Sequence, residues 1–495
     1  MRDKPNIVWF VADQMRSDAL GCNGNPAAMT PVMNELAEEG VSFTNAFSQN
    51  PVCVPSRCSF LSGLYPHVRG HRSMHHLLEP GEPTLLVAMR DAGYEVIWAG
   101  RNDLVPGNRP KTPYCDHYFN GKDLADHADD EDSRISFGNL ATKKLEATPA
   151  PVMDDLDLTY SFYRGSLPAH AQDDSFDDLT VDAAISCLER RNDERPFFLY
   201  VTLADPHPPY VCEEPFFSSI SRDALPPRRP DIERCAGKAS MLTRIRERQK
   251  MTGWSESQYD ELRATYLAQV ARFDWNLGRL VGALRRLDLY DESALFVFSD
   301  HGDYTGDYGL AEKNQNTFED PLVNVPLIVR PPVGAACRPG LNDELVQLLD
   351  LPATVADLAG IDLGYEQFGR SLLGAVAGEP GPRDAVFAEG GRLPGERQGM
   401  ELLHGPESPY WPRNSVQHES DVAHGKASMI RTRRLKYVMR LTEPDELYDL
   451  ERDPMETTNI IDDASYAGEL AELRQRLLRH HVETSDWLPR RLDPR

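Results

Sequence analysis

Apolar residues recur along this chain with two periods, and the alternation between them predicts its architecture. "NIVWFVAD" (6–13) is an unbroken apolar run closed by Asp, the pattern of a strand buried on both faces. "TPVMNELAEEG" follows with a Thr placed to cap, Pro at the first helical position and a closing Gly, which predicts a helix. "PTLLVAMRDAGYEVIWAG" reads as a helix, a Gly turn and a second buried strand. "DDLTVDAAISCLERR" with "PFFLYVTLADPH" repeats the order, as does "YLAQVARFDWNLGRLVGALRRLDLYDESALFVFSDHG". Helices alternating with buried strands predict an α/β fold, a large and mostly parallel sheet flanked by helices.

Two stretches interrupt the alternation. Residues 104–178 are rich in Asp and poor in period, and residues 211–255 mix Pro, Arg and short apolar pieces; both are expected to be long surface loops. "NVPLIVRPP" predicts a further strand and "DELVQLLDLPATVADLAG" a helix. After the Gly- and Pro-rich 372–384, short alternating runs ("AVFAEGG", "ASMIRTRRLKYVMRL", "DELYDL") predict antiparallel strands, and "YAGELAELRQRLLRHHVE" an amphipathic helix. The expected division is a main α/β domain over 1–370 and a small α+β domain over 371–495. A chain of 495 residues exceeds what one core usually serves.

Composition narrows the classes. With 53 basic and 78 acidic residues the net charge is −25, which argues against nucleic acid as a bulk partner. An anionic substrate would need a cationic pocket within an acidic protein. The N-terminal apolar run is too short for a secretion signal, and no segment approaches the length of a membrane span. Eight scattered cysteines without a CxxC pair are expected to be free thiols, so a cytoplasmic location is expected and no membrane partner.

The candidate chemistry lies at strand ends. Two distant strands close alike, with Asp13-Gln14 and with Asp300-His301, and parallel strands place their C-terminal ends along one edge. A single such Asp more commonly caps a helix; two converging carboxylates with an imidazole suit a divalent cation, Ca2+ first and Mn2+ or Mg2+ next. A third strand leads to His207, and Arg101 and Lys313 stand just beyond a strand end and in a Gly-rich loop.

"CVPSR" (53–57) unites these signals. With "NPVCVPSRCSFLSGLYPHVRGHR" around it, and "PNIVWFVADQ", "GYEVIWAGRNDL", "SDHGDYTGDYGL" and "ELYDLERDPMETTN" in order, the chain resembles the type I, formylglycine-dependent sulfatases of the alkaline phosphatase superfamily along nearly its whole length. The resemblance implies that a formylglycine-generating enzyme oxidises Cys53 to formylglycine. One hydroxyl of the aldehyde hydrate would attack sulfur and expel the alcohol; the other would drive release of sulfate. Cys58 lacks the downstream Pro and Arg and is expected to be structural. The same resemblance implies one divalent metal held by Asp13, Gln14, residue 53, Asp300 and His301, with Arg57 orienting the hydrate. Arg101 and Lys313 would bind sulfuryl oxygens or the leaving group, and His207 would donate a proton to it.

Three departures stand out. Gln14 and His301 occupy positions where many or some members carry Asp and Asn, and "GRNDL" replaces the usual G-K-x-H-L, giving Arg101 and Asp103. The expected activity is release of sulfate from a small-molecule or saccharide sulfate ester. The alternatives are phosphonate monoester or phosphodiester hydrolysis with the same nucleophile, and a non-catalytic anion-binding relative with Cys53 unmodified.

Overall fold

The computed structural model describes residues 4–120, 157–169 and 175–487. Most of the Asp-rich stretch expected as loop between 104 and 178 lies outside the described residues. The main sheet has eight strands: β1 (Asn6–Asp13), β2 (Val41–Phe43), β3 (Glu95–Gly100), β4 (His117–Phe119), β5 (Phe197–Pro206), β6 (Ser293–Ser299), β7 (Leu327–Arg330) and β8 (Gly340–Asn342). Their order is β8-β2-β7-β6-β1-β5-β3-β4. The run from β6 to β4 is parallel, and β7 is antiparallel to both its neighbours. This is the mostly parallel α/β sheet that the alternation predicts.

Every residue of β1 is buried, because strands lie on both its edges and helices on both its faces. Val8 and Phe10 point into one apolar layer with Phe273 and Leu277 of a long helix, Glu256–Arg286. Ile7, Trp9 and Val11 point into the other, where Trp9 meets Phe198 and Phe298 edge-on at 5.3 Å each. A core aromatic in such a setting contributes about 3–5 kcal/mol relative to Ala.

Register then sets the site. Ala12 pairs with Ser299, Asp13 with Pro206, and Gly100 with Thr202. The residues that follow, Asp300, His207 and Arg101, therefore leave the sheet at the same edge as Asp13. Gly100 has φ of 102°, and a Cβ there would sit 2.1 Å from the Thr202 carbonyl oxygen. Only glycine permits that close turn-off before Arg101.

A second, four-stranded antiparallel sheet follows, comprising β9 (Val386–Gly390), β10 (Ala427–Arg431), β11 (Leu435–Arg440) and β12 (Glu446–Asp449). The C-terminal helix Ala467–Thr484 covers one face through Leu470, Leu473 and Leu477. The other face packs on Tyr304, Tyr308 and Leu322, so the small sheet buttresses the loop that carries the site. Lys436 Nζ reinforces this by donating to the Phe318 carbonyl at 2.8 Å and to Asp320 at 2.6 Å.

Three local expectations differ from the structure. The helix Pro31–Glu39 does begin after Thr30, but the Thr30 side chain does not cap it. Its free N–H groups at Val32 and Met33 donate instead to the Asp274 carboxylate, at 3.0 and 2.8 Å, across the packed layer. The helix expected from residue 343 starts only at Leu351, since Val346–Gln347 forms a short strand and Pro352 suits a first turn. Residues 211–255 are not one continuous loop, since a strand and two helices flank the mostly irregular stretch 220–239. Tyr210–Glu213 pairs with Tyr163–Leu167, and the helix Ser240–Gln249 buries Met241, Leu242 and Ile245 between arginines that mask its period.

Candidate active site

Cys53 is the first residue of a wholly buried helix, Cys53–Ser62, whose start faces the C-terminal edge of the sheet. Its Sγ lies 3.2 Å from His301 Nε2, 3.4 Å from Lys313 Nζ and 3.5 Å from Asp13 Oδ1. Ser56 Oγ donates to the Asp300 carbonyl at 2.6 Å and pins this helix to the strand end. One turn on, Arg57 spans the two strand-end carboxylates, 2.9 Å from Asp13 and 2.9 Å from Asp300. Its Nη1 has no hydrogen-bond partner among the described residues. Cys58, on the same helix, is buried in the apolar layer and engages nothing at the site.

Asp13, Cys53, Asp300 and His301 present donor atoms within 4.8 Å of one another, all buried. The chemistry of this set fits a cation. His301 Nδ1 lies 3.0 Å from the Gly302 carbonyl, which can only accept, so Nδ1 carries the hydrogen and Nε2 points its lone pair inward. Burial, with Lys313 adding to it against the pull of Asp300, pushes the imidazole down to about 3, so the ring is neutral and able to ligate. Burial opposes ionisation of Asp300, but the positive surroundings, Arg57 and Lys313 among them, hold it below the usual carboxylate range. Two carboxylates and an imidazole suit a hard divalent ion. The Cys53 thiol suits it less: burial pushes it up to about 12, with the Lys313 ammonium opposing, so it is not a thiolate here.

Gln14 completes the strand end in a left-handed conformation, φ 73°. Its N–H donates to Asp300 at 3.1 Å, its carbonyl accepts from Tyr266 at 2.9 Å, and its Oε1 accepts from Lys313 Nζ at 2.6 Å. Thr305, Tyr308 and Glu312 also have positive φ, so the loop presenting Lys313 is held in strained turns by its surroundings. Arg413 secures that loop, donating to the Glu312 carboxylate and to Glu401 at 2.8 Å.

Arg101 donates to Asp13 and lies 2.7 Å from Asp103, which stands 3.8 Å from Arg57. Asp103 thus braces two arginines. His207 is buried with Nδ1 2.7 Å from the Pro208 carbonyl. Burial and the charges of Lys313 and Arg101 push its pKa well below the ordinary histidine value. All nine residues singled out in the sequence gather at this edge. Asp303, Tyr210, Glu312 and Arg413 join them without having been expected; only the Asp-Gly spacing of 300–303 hinted at the first.

The fold is that of sulfatases and phosphonate monoester hydrolases of known structure. Residues 5–361 match the sulfatase family, and the chain belongs to it. It is accordingly an enzyme of the sulfuric ester hydrolase class. An arylsulfatase of Clostridium perfringens is 24% identical, over 96% of this chain and 94% of that one. The multifunctional alkaline phosphatase superfamily protein PehA of Trinickia caryophylli is 25% identical, over 98% and 96%. Among solved structures, the phosphonate monoester hydrolase of Agrobacterium radiobacter superposes with a TM-score of 0.78 at 23% identity, covering 97% of this chain and 96% of the other. Among the described residues no helix is long and apolar enough to cross a membrane.

Proposed function

We propose that the chain hydrolyses an organic sulfate ester with a formylglycine formed from Cys53 and a divalent cation, Ca2+ before Mn2+ or Mg2+. The observation that carries this is the convergence of Cys53, two strand-end carboxylates and a neutral His301 within 4.8 Å. Formylglycine would supply a geminal diol in place of a thiol that burial keeps protonated. The cation would be held by Asp13, Gln14, Asp300, His301 and residue 53, and would lower the pKa of the attacking hydroxyl. An oxygen at position 53 would also match a hard ion better than sulfur does.

The protein's own groups then have separable tasks. Arg57 neutralises both carboxylates and has Nη1 available to orient the hydroxyls at position 53. Lys313 and Arg101 flank the position of the ester and stabilise charge developing on sulfuryl oxygens; preorganised cations in a buried pocket act most strongly there. His207 protonates the departing alkoxide. The substrate is a small-molecule or saccharide sulfate ester, and a formylglycine-generating enzyme is the implied partner.

A second reading uses the same groups. Sulfate monoesters, phosphonate monoesters and phosphodiesters are all tetrahedral monoanions, and Lys313 and Arg101 read charge and oxygen geometry rather than the central atom. Initial rates on 4-nitrophenyl sulfate, phenylphosphonate and bis-phosphodiester esters, at quantified formylglycine content, test the choice. Higher kcat/KM for the sulfate is expected; a phosphorus ester turned over faster would replace the first reading with the second.

A further inference from the structure

We propose that Asp303 is a positioning residue that sets the orientation of the Gln14 amide and keeps its carbonyl oxygen turned to the cation site. The inference rests on the reading of Gln14 as a cation donor. An amide has two nearly isosteric orientations, one presenting oxygen and the other an NH2 group. The Gln14 backbone is fixed at both ends, by Asp300 and by Tyr266, so only that flip remains to be decided.

The surrounding hydrogen bonds decide it through a one-way chain. The Glu312 N–H donates to the Tyr210 hydroxyl oxygen at 3.0 Å, which leaves the Tyr210 hydrogen to donate to Asp303, at 2.9 and 3.0 Å to its two oxygens. The Thr305 N–H donates to Asp303 Oδ1 at 2.6 Å. Asp303, fully buried, is therefore an acceptor on every side, and the group facing it across 2.5 Å must be the Gln14 NH2. The Gln14 oxygen is then directed at Lys313 and the interior of the site. A carboxylate at position 14 would need no such device. An amide does, because its reversed form sets NH2 against an ammonium and a cation, and a carbonyl against a carboxylate.

This makes an inverted ranking of variants. In Asp303→Asn, the Tyr210 and Thr305 donors keep the Asn oxygen, so its NH2 faces Gln14 and drives the amide to reverse. In Asp303→Ala nothing drives the reversal, and Lys313 and the bound ion still select the carbonyl. A purely structural Asp would give the opposite order, since Ala loses more contacts than Asn.

The experiment is calorimetric titration of Ca2+ into the full-length protein stripped with chelator, for both variants, for Gln14→Ala, and for the two Gln14→Ala doubles. Asp303→Asn should lose affinity roughly 10- to 100-fold and Asp303→Ala less. In the Gln14→Ala background the two should no longer differ. Equal or weaker loss in Asn than in Ala overturns the positioning role while Gln14→Ala still shows loss. Unchanged affinity in Gln14→Ala instead overturns the reading of Gln14 as a donor, and the proposal with it. A crystal structure of Asp303→Asn gives a check that does not need the Ala variant to fold. Lys313 Nζ should have moved beyond hydrogen-bond distance of residue 14, and an unmoved Lys313 contradicts the inference.

Discussion

Replacing His207 with Ala probes the proton-donor role proposed for it. The Pro208 carbonyl 2.7 Å from Nδ1 can only accept, so the ring hydrogen stays on Nδ1 and a neutral His207 has no hydrogen on Nε2. Burial, joined by Lys313 and Arg101, keeps the ring neutral before substrate binds. An anionic ester seated between those two cations cancels their repulsion and lets Nε2 take up a proton, ready to pass to the leaving oxygen. Two quantities follow. Binding should consume protons near neutral pH, visible as a dependence of binding heat on buffer ionisation enthalpy in a Cys53→Ala protein that cannot turn over. Catalysis should fall in proportion to leaving-group basicity. A general acid contributes about 10²- to 10⁴-fold, or about 3–5 kcal/mol, so alkyl sulfates should show a loss of that size in His207→Ala. With 4-nitrophenyl sulfate, whose aryloxide leaves unaided, the loss should stay within about tenfold. The assay is kcat across esters of graded leaving-group pKa. A loss of equal size on every ester removes His207 from the acid role, and the absence of proton uptake would contradict the protonation sequence.

Three further outcomes are expected. Protein made with a formylglycine-generating system should carry an aldehyde at residue 53 by peptide mass spectrometry, and Cys53→Ala should lose turnover with its melting temperature retained; full activity with only unmodified thiol refutes the nucleophile. Chelation should abolish activity and a divalent ion restore it, while Asp13→Asn or Asp300→Asn should weaken Ca2+ affinity measured calorimetrically; binding unchanged in both would move the cation elsewhere. Half-buried His67, on the short helix Pro66–Arg69, lies 2.7 Å from buried Glu389 and links the small sheet to the segment after the Cys53 helix. Burial works against both charges, but each partner stabilises the other: His67 titrates above its ordinary value, and Glu389 is drawn down to about 2, worth about 3 kcal/mol. A lowered Glu contributes stability above its unfolded value near 4.5 that is lost as pH falls towards 2. A raised His contributes stability below its unfolded value near 6.5 that is lost as pH rises through its folded value. The stability gap between the protein and Glu389→Gln in urea melts should therefore be widest between about pH 4.5 and 6.5; a flat gap across pH 3 to 9 contradicts the pair.

The sequence by itself determined the layers and which polar residues end the strands. Continuous apolar runs such as 6–13 and 293–299 can be buried on both faces only inside a sheet, and each run stops at a residue that cannot be buried without a partner, Asp13 or Asp300. That logic needs no coordinates, and it placed Gln14, His301, Arg101 and His207 at one edge; the "CVPSR" motif added Cys53 and Arg57. The order of strands and their register were decided only in three dimensions, because β1 pairs with β5 and β6, strands nearly two and three hundred residues away. Caps and brackets were likewise invisible. Asp274 caps a helix that Thr30 was placed to cap, because a carboxylate across a packed layer can reach N–H groups that a neighbouring side chain has turned from. Beyond the spacing that hints at Asp303, these residues carry no signal in the sequence: Tyr210, Glu312 and Arg413 are ordinary polar residues in a strand, a loop and a helix. Their roles come from burial: once water is excluded, every donor must find an acceptor, and the direction of those bonds, which only the tertiary structure fixes, orients Gln14 and Lys313.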